Sequence, residues 1–290
     1  MRPTLLVAIG LLTTSPARAQ QAALADSVLR IGDDSLHYQT RGRGVPVLLL
    51  HGFGGRLEEM DNLAASLAGG YKVIALDLQG FGRSSAPEPL TRYGAVMVDH
   101  VIGLLDHLHE RRVHLVGYSM GATLAAAVAA RHPERVRSLT LIGAMPLRSG
   151  SIMLPLVDSE ASALKRGDGL RPLIVGLNPV GAPLPSDSAI VAISREDLAG
   201  HDSLAWAAAL LGMHDFVLSD SEAHALAMPI LALFGTADPL RGDVAGWAGR
   251  LPRLRVDTLS RATHNDVLGH AALAGSVRGF LKSVDAQGRR

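Results

Sequence analysis

The sequence predicts an α/β fold: a mostly parallel central sheet flanked by helices, with an inserted helical cap. Three observations predict it. Short apolar runs alternate with longer amphipathic stretches, the pattern of strands joined through crossover helices. The apolar runs are continuous, as expected of strands covered on both faces. The alternation stops at Pro146 and resumes only after Ala227.

Taken in order, the first elements are a hairpin, with strands over 28–31 and 35–40 joined by the turn Gly32-Asp33-Asp34. Six further strands are expected over 45–50, 72–76, 113–116, 136–142, 230–234 and 254–259. Between them, Leu57, Met60, Leu63 and Leu67 recur at helical spacing until Gly69-Gly70 stops the run, and Val98, Val101, Leu105 and Leu108 repeat the pattern. Residues 122–130 form a helix of nearly all small side chains, able to sit close to a sheet, and 267–284 supply a final amphipathic helix.

The interrupting stretch holds Pro155, Pro172, Pro179, Pro183 and Pro185, and helices are expected to start near Ser186 and Asp202. It reads as a cap over the strand ends. The chain therefore divides into a leader (1–19), a core (20–145 and 228–290) and the helical insertion (146–227). Leu154, Trp206 and Met213 from the insertion, with Tyr118 from the core, are candidates to line a pocket, while most of the insertion's apolar residues hold it together.

Composition narrows the function. With 290 residues and 48% hydrophobic content the chain can bury a sizeable core, so disorder is not expected. The 28 Lys and Arg against 27 Asp and Glu lack the basic excess of a nucleic-acid binder. The absence of cysteine excludes disulfides, thiolate nucleophiles and a cysteine lipid anchor, so chemistry must come from oxygen or imidazole.

Arg2, the apolar run from Leu5 to Leu12 and the small-x-small pattern ending at Ala19 read as a secretory signal peptide cut after Ala19. The run is too short to cross a bilayer core, which needs roughly 20 residues. Removing Arg2 and Arg18 takes the formal charge from +1 to −1. A periplasmic or secreted protein without a stable membrane anchor is expected; oligomeric state is not legible.

The chemistry centres on one turn. The strand over 113–116 leads into Gly117-Tyr118-Ser119-Met120-Gly121 and then the small-residue helix, which is the strand-to-helix setting a G-x-S-x-G motif requires. The flanking glycines remove side chains that would collide in a sharp turn, and the helix N-terminus favours developing negative charge. A serine hydroxyl is a weak nucleophile and needs a base, itself oriented by an acid. Downstream, Asp238 follows the strand over 230–234, and His264 follows the strand over 254–259. Asp243, Asp257 and Asp266 compete for the acid role. Asp257 falls within a strand and Asp266 lies too close to His264, so Asp238 leads.

With its serine, acid and histidine in that order, the chain resembles the α/β-hydrolase family, and the resemblance extends over nearly all of the sequence after the leader. His51-Gly52-Phe53-Gly54-Gly55 looks like the family's His-Gly oxyanion loop, and Asp77-Leu78-Gln79-Gly80-Phe81-Gly82-Arg83-Ser84 resembles the turn after the next strand in capped members. The resemblance implies an oxyanion hole formed by the backbone N–H groups of Phe53 and Met120. One such donor contributes on the order of 3 kcal/mol to a transition state. His51, Asp77 and Ser84 are expected to shape their loops.

Twelve histidines invite a metal reading. His109-Glu110-Arg111-Arg112-Val113-His114 nearly imitates H-E-x-x-H, but it has one residue too many and His114 falls in a strand, so the rings share no helical face. His107 and His109 read as surface or packing residues. No metal and no cofactor is expected, since phosphate-binding and dinucleotide loops are also absent from the sequence.

The expected activity is therefore a serine hydrolase acting on a small or medium, mostly apolar carboxylic ester through an acyl-enzyme. Lactone opening, carbon–carbon bond hydrolysis and perhydrolysis use the same framework and stay open. Serine at the elbow argues against dehalogenase and epoxide hydrolase relatives, which place an aspartate there. A ligand-binding or sensing module with a slow triad is the non-enzyme alternative.

Overall fold

The computed structural model describes residues 24–87 and 90–288. The expected signal peptide lies outside the described residues. Among the described residues eight strands form one sheet in the order β1-β2-β4-β3-β5-β6-β7-β8. These are β1 (Ala25–Ile31), β2 (Asp34–Gly42), β3 (Val45–Leu50), β4 (Tyr71–Leu76), β5 (Val113–Tyr118), β6 (Val136–Ile142), β7 (Ile230–Gly235) and β8 (Leu254–Leu259). β2 runs antiparallel to both β1 and β4, and the remaining pairs are parallel.

The continuous apolar strands follow from burial on both faces. Leu48 and Leu50 of β3 join Ile74, Leu76 and Leu115 on one face, whereas Val47 and Leu49 join Val73, Ala75 and Val116 on the other. The first face is covered by Val98, Val101, Leu104 and Leu105 of α2 (Ala95–His107) and by α3 (Met120–Arg131). The second is covered by Leu63 and Leu67 of α1 (Asp61–Leu67) and by Leu273, Val277 and Leu281 of α9 (Leu273–Gln287). Each buried leucine contributes roughly 1.5–3 kcal/mol of transfer free energy.

Three expectations are corrected. The strand over 254–259 is not covered on both faces: β8 closes the sheet as an edge, and Arg255 and Val256 are exposed. Its charged Arg255 and Asp257 suit an edge, where they discourage pairing with other chains. The last helix does not start at 267; a 3-10 turn over Val267–Gly269 ends at His270, whose extended backbone separates it from α9. The periodic run from Leu57 is likewise a 3-10 turn over Leu57–Met60 that passes into α1.

Between β6 and β7 lie α4 (Met153–Arg166), α5 (Arg171–Gly176), α6 (Asp187–Asp197), α7 (Ser203–Gly212) and α8 (Asp220–Ala225). Ser186 and Asp202 cap α6 and α7 as expected. The Ser186 hydroxyl accepts the Ala189 N–H at 3.2 Å, and the Asp202 carboxylate accepts the Leu204 N–H at 2.8 Å. The sequence reading missed α4, α5 and α8. Pro155 and Pro172 sit in the first turns of α4 and α5, where a backbone N–H has no partner to lose, so they start helices instead of breaking them.

The segment is tied down at its beginning. Asp243 accepts hydrogen bonds from the Ser151 hydroxyl and from the Ile152 N–H, while the Trp247 indole donates to Pro146 O at 3.0 Å. Asp243 therefore anchors a loop, which removes it as a rival to Asp238.

Candidate active site

Ser119 sits between β5 and α3 with φ 51° and ψ −118°, a left-handed backbone that non-glycine residues rarely adopt and that costs roughly 1–3 kcal/mol. Packing imposes the turn. A Cβ on Gly117 would come within 2.2 Å of Gly121 O, and one on Gly121 within 2.3 Å of His51 O, so both flanking positions must lack a side chain. The result is a half-buried serine hydroxyl presented at the carboxyl end of the strand.

The loops after β7 and β8 bring its partners. Asp238 Oδ1 accepts the Leu240 N–H at 2.9 Å, which fixes the carboxylate, and Asp238 Oδ2 lies 3.0 Å from His264 Nδ1. A carboxylate only accepts, so the His264 proton belongs on Nδ1. That leaves the Nε2 lone pair facing Ser119 Oγ at 3.0 Å. Asp238 and His264 are both buried. Tyr118 donates its hydroxyl to His264 O at 2.9 Å and lays its ring 5.4 Å from the imidazole, so His264 is held from two sides. Burial raises the Tyr118 phenol and keeps it protonated for that bond.

Met120 is the first residue of α3, and the N–H groups of a helix's first turn have no partner within the helix. Phe53 lies in the loop after β3. His51 braces that loop: its Nδ1 donates to Gly52 O at 2.7 Å and its Nε2 accepts the Leu78 N–H at 3.0 Å. Burial lowers the His51 pKa to about 4, so the ring is neutral at physiological pH. Asp77 accepts N–H groups from Leu57 at 2.7 Å and Arg83 at 2.8 Å, and the Ser84 hydroxyl donates to Asp77 O at 2.6 Å. Both residues shape the turn.

A pocket of about 390 Å³ opens at Ser119 and His264, walled by Phe53 and Tyr118 on one side and by Leu173, Ile174 and Ile193 from the helical segment on the other. A second, mostly apolar pocket of about 30 Å³ continues from Ser119 and Met120 toward Met213. Of the four pocket candidates, Tyr118 and Met213 border these spaces. Trp206 and Leu154 do not. Trp206 is packed against Phe53, ring centroids 5.0 Å apart, and would lie 3.1 Å from a Cβ at Gly54, a tight contact, while Leu154 packs on the main core. Trp206 thus supports Phe53 from behind, and neither residue is a wall of these pockets.

The sequence reading also missed Glu160, whose side chain is wholly buried against the smaller pocket. Helical period would have found it. Met153, Val157, Glu160 and Leu164 fall on one stripe of α4, and that stripe is the buried one. The remaining rivals and the histidines lie elsewhere. Asp257 pairs with Arg255 on the edge strand, Asp266 accepts the Thr263 N–H at 2.6 Å, and His114 is bonded to Ser138 and Asp285. Among the described residues no group of three or more His, Asp or Glu side chains is disposed to hold a metal ion.

A sheet of this topology with a strained serine at its central turn has known counterparts. The model of a protein family described as the alpha/beta hydrolase fold matches residues 45–189. The chain belongs to the alpha/beta hydrolase fold family. Within it, the chain is similar to a 2-hydroxymuconate semialdehyde hydrolase of Pseudomonas putida, 29% identical over 87% of this chain and 92% of that protein. It is also similar to a 2-hydroxymuconate semialdehyde hydrolase of Pseudomonas sp. (strain CF600), 38% identical over 40% of this chain and spanning 41% of that relative's length. A carboxylesterase of Nitrososphaera gargenis shares the hydrolase fold, with a TM-score of 0.74 at 19% identity over 90% of this chain and 100% of that one.

Proposed function

We propose that the protein is a serine hydrolase that cleaves a small or medium carboxylic ester through an acyl-enzyme. One observation carries the reading: the bonded series Ser119–His264–Asp238, with both links at 3.0 Å, stands at the mouth of a largely apolar pocket.

In the proposed cycle the Ser119 Oγ–H proton passes to His264 Nε2 as Oγ bonds to the carbonyl carbon. Asp238 supports the imidazolium so formed. The carbonyl oxygen, now negative, is received by the Phe53 and Met120 amides. Its charge then returns to the carbonyl as the bond to the alkoxy oxygen breaks, and the alcohol leaves with the Nε2 proton. Water repeats the sequence: it loses a proton to Nε2, bonds the acyl carbon, and Oγ departs with that proton, releasing the carboxylic acid. Helices α4 to α7 act as the cap that shapes the acyl and alcohol sites, and the leader over residues 1–19 directs export.

A second reading, carbon–carbon bond hydrolysis, is favoured by the names of the relatives. A 2-hydroxymuconate semialdehyde carries a carboxylate, however, and among the described residues no Lys or Arg lines either pocket, where the charged groups are Asp197, Glu160 and the site's own residues. That observation supports the ester. Phenyl and nitrophenyl esters of two- to eight-carbon acids, assayed beside a 2-hydroxy-6-oxo-dienoate, test the choice. Ester turnover exceeding dienoate turnover is expected, and the reverse order would replace the ester reading.

A further inference from the structure

Glu160 is a carboxylic acid placed where an apolar residue would pack. The small pocket it borders is lined by Met153, Leu156, Val157, Leu210 and Met213, and by Ser119. Oε2 accepts the Leu173 N–H at 2.7 Å, which ties α4 to α5. The other oxygen, Oε1, is buried and has no hydrogen-bond partner among the described residues, and since the whole side chain is closed to a water-sized group, a ligand reaches Oε1 only by shifting the side chains packed around it. Holding the Leu173 amide accounts for one oxygen and not for both. An unpaired buried oxygen is costly and needs a reason.

The pocket has about 30 Å³ of room, and a single water needs about 10–15 Å³, so it takes a group of about two heavy atoms. A plain methyl end would fill the space and leave Oε1 unpaired. A hydroxyl would fill it and pair the oxygen. We propose that Glu160 is a specificity-determining residue whose free Oε1 hydrogen-bonds a hydroxyl on the short chain entering beside Met120, so that small hydroxylated esters are favoured over plain and carboxylate-bearing ones.

The inference rests on the reading of Ser119 as the nucleophile of an ester hydrolase. Burial pushes the Glu160 carboxyl up to about 7, so acid and carboxylate are both accessible near neutral pH. A hydroxyl suits either form, accepting from the acid O–H or donating to the carboxylate. A carboxylate on the substrate has no cation to meet there and would face an acid. Asp197, bordering the larger pocket, works in the same direction.

The test compares phenyl 3-hydroxybutyrate, phenyl butyrate and monophenyl succinate, which share one leaving group, with kcat/KM corrected for each ester's hydroxide-catalysed rate. Wild type should favour the hydroxybutyrate over the butyrate by about tenfold or more, the size of one hydrogen bond to a charged group, and should turn over the succinate least. In Glu160→Met the ratio of hydroxybutyrate to butyrate should fall to about one; in Glu160→Gln, whose amide keeps a donor, most of it should survive. A wild-type ratio near one, or a ratio unchanged in Glu160→Met, would overturn the proposal. Should Glu160→Met not be recovered folded, infrared difference spectra decide. The carboxyl band of wild type should shift with 3-hydroxybutyramide and not with butyramide, and should be missing in Glu160→Gln; no shift overturns the proposal. Ser119→Ala separates the two readings, because activity surviving it removes the nucleophile, whereas Ser119-dependent turnover without a Glu160-dependent ratio removes only the inference about Glu160.

Discussion

Ser119, Asp238 and His264 hang from strand ends whose backbones are locked by parallel pairing and by neighbours at van der Waals contact, whereas Glu160, Leu173 and Ile193 hang from short helices joined by loops. Ser119 and His264 border the larger pocket together with Leu173 and Ile193, and Ser119 borders the smaller one together with Glu160 and Leu173. A group that moves protons must hold its geometry to fractions of an ångström, and a sheet provides that stiffness. A wall that selects among substrates need only fill space with the right polarity, so helices on a tether suffice. Rate should therefore be concentrated in the strand-end loops and selectivity in the helical segment.

The comparison breaks most visibly if the loops prove dispensable. Ser119→Ala should lower ester turnover by roughly a million-fold, by analogy with another serine hydrolase, with an unchanged circular dichroism spectrum. Retained turnover would transfer the chemistry to another residue. Asp238→Asn should reduce kcat by about ten-thousand-fold, because an amide no longer fixes the His264 tautomer or supports its charge; near-normal steady-state kinetics would relocate the acid. Replacing Gly121 by alanine forces a Cβ onto His51 O and should cost about 1–3 kcal/mol of stability, read as a lower urea midpoint. In contrast, Leu173→Ala in the segment should change the ranking of acyl-chain lengths by about tenfold while Ser119 still reacts.

A smaller effect concerns pH. The folded Glu160 carboxyl titrates near 7 instead of its ordinary 4.5, so folding favours its protonated form. Its contribution to stability is complete below about 4.5 and is lost as pH rises through about 7. Thermal melts of wild type should fall more between pH 5 and pH 8 than those of Glu160→Gln. Parallel curves would show that Glu160 does not titrate in that range. On the processing side, protein recovered outside the cytoplasm should begin at Gln20; an intact Met1 there would contradict the leader.

The same contrast explains what could be read from sequence. Ser119, Asp238 and His264 were legible because each follows a short apolar run, and because Gly117 and Gly121 have a steric reason to be glycine. Helices α6 and α7 were legible through Ser186 and Asp202, whose side chains cap them. Helices α4 and α5 were not, since Pro155 and Pro172 read as breakers when no neighbouring element marks them as first-turn residues. Trp206 and Leu154 misled for a related reason: apolar character identifies burial, but only the fold tells whether a buried side chain borders a cavity or supports one.

If this geometry makes one serine reactive, that serine should be selectively modified by an electrophile. A fluorophosphonate probe followed by peptide mass spectrometry tests it most directly. The probe's mass should appear on the peptide carrying Ser119 and vanish with Asp238→Asn or His264→Ala, as hydrolysis should. Labelling of a different serine, or full hydrolysis with Ser119 unmodified under saturating probe, would contradict it.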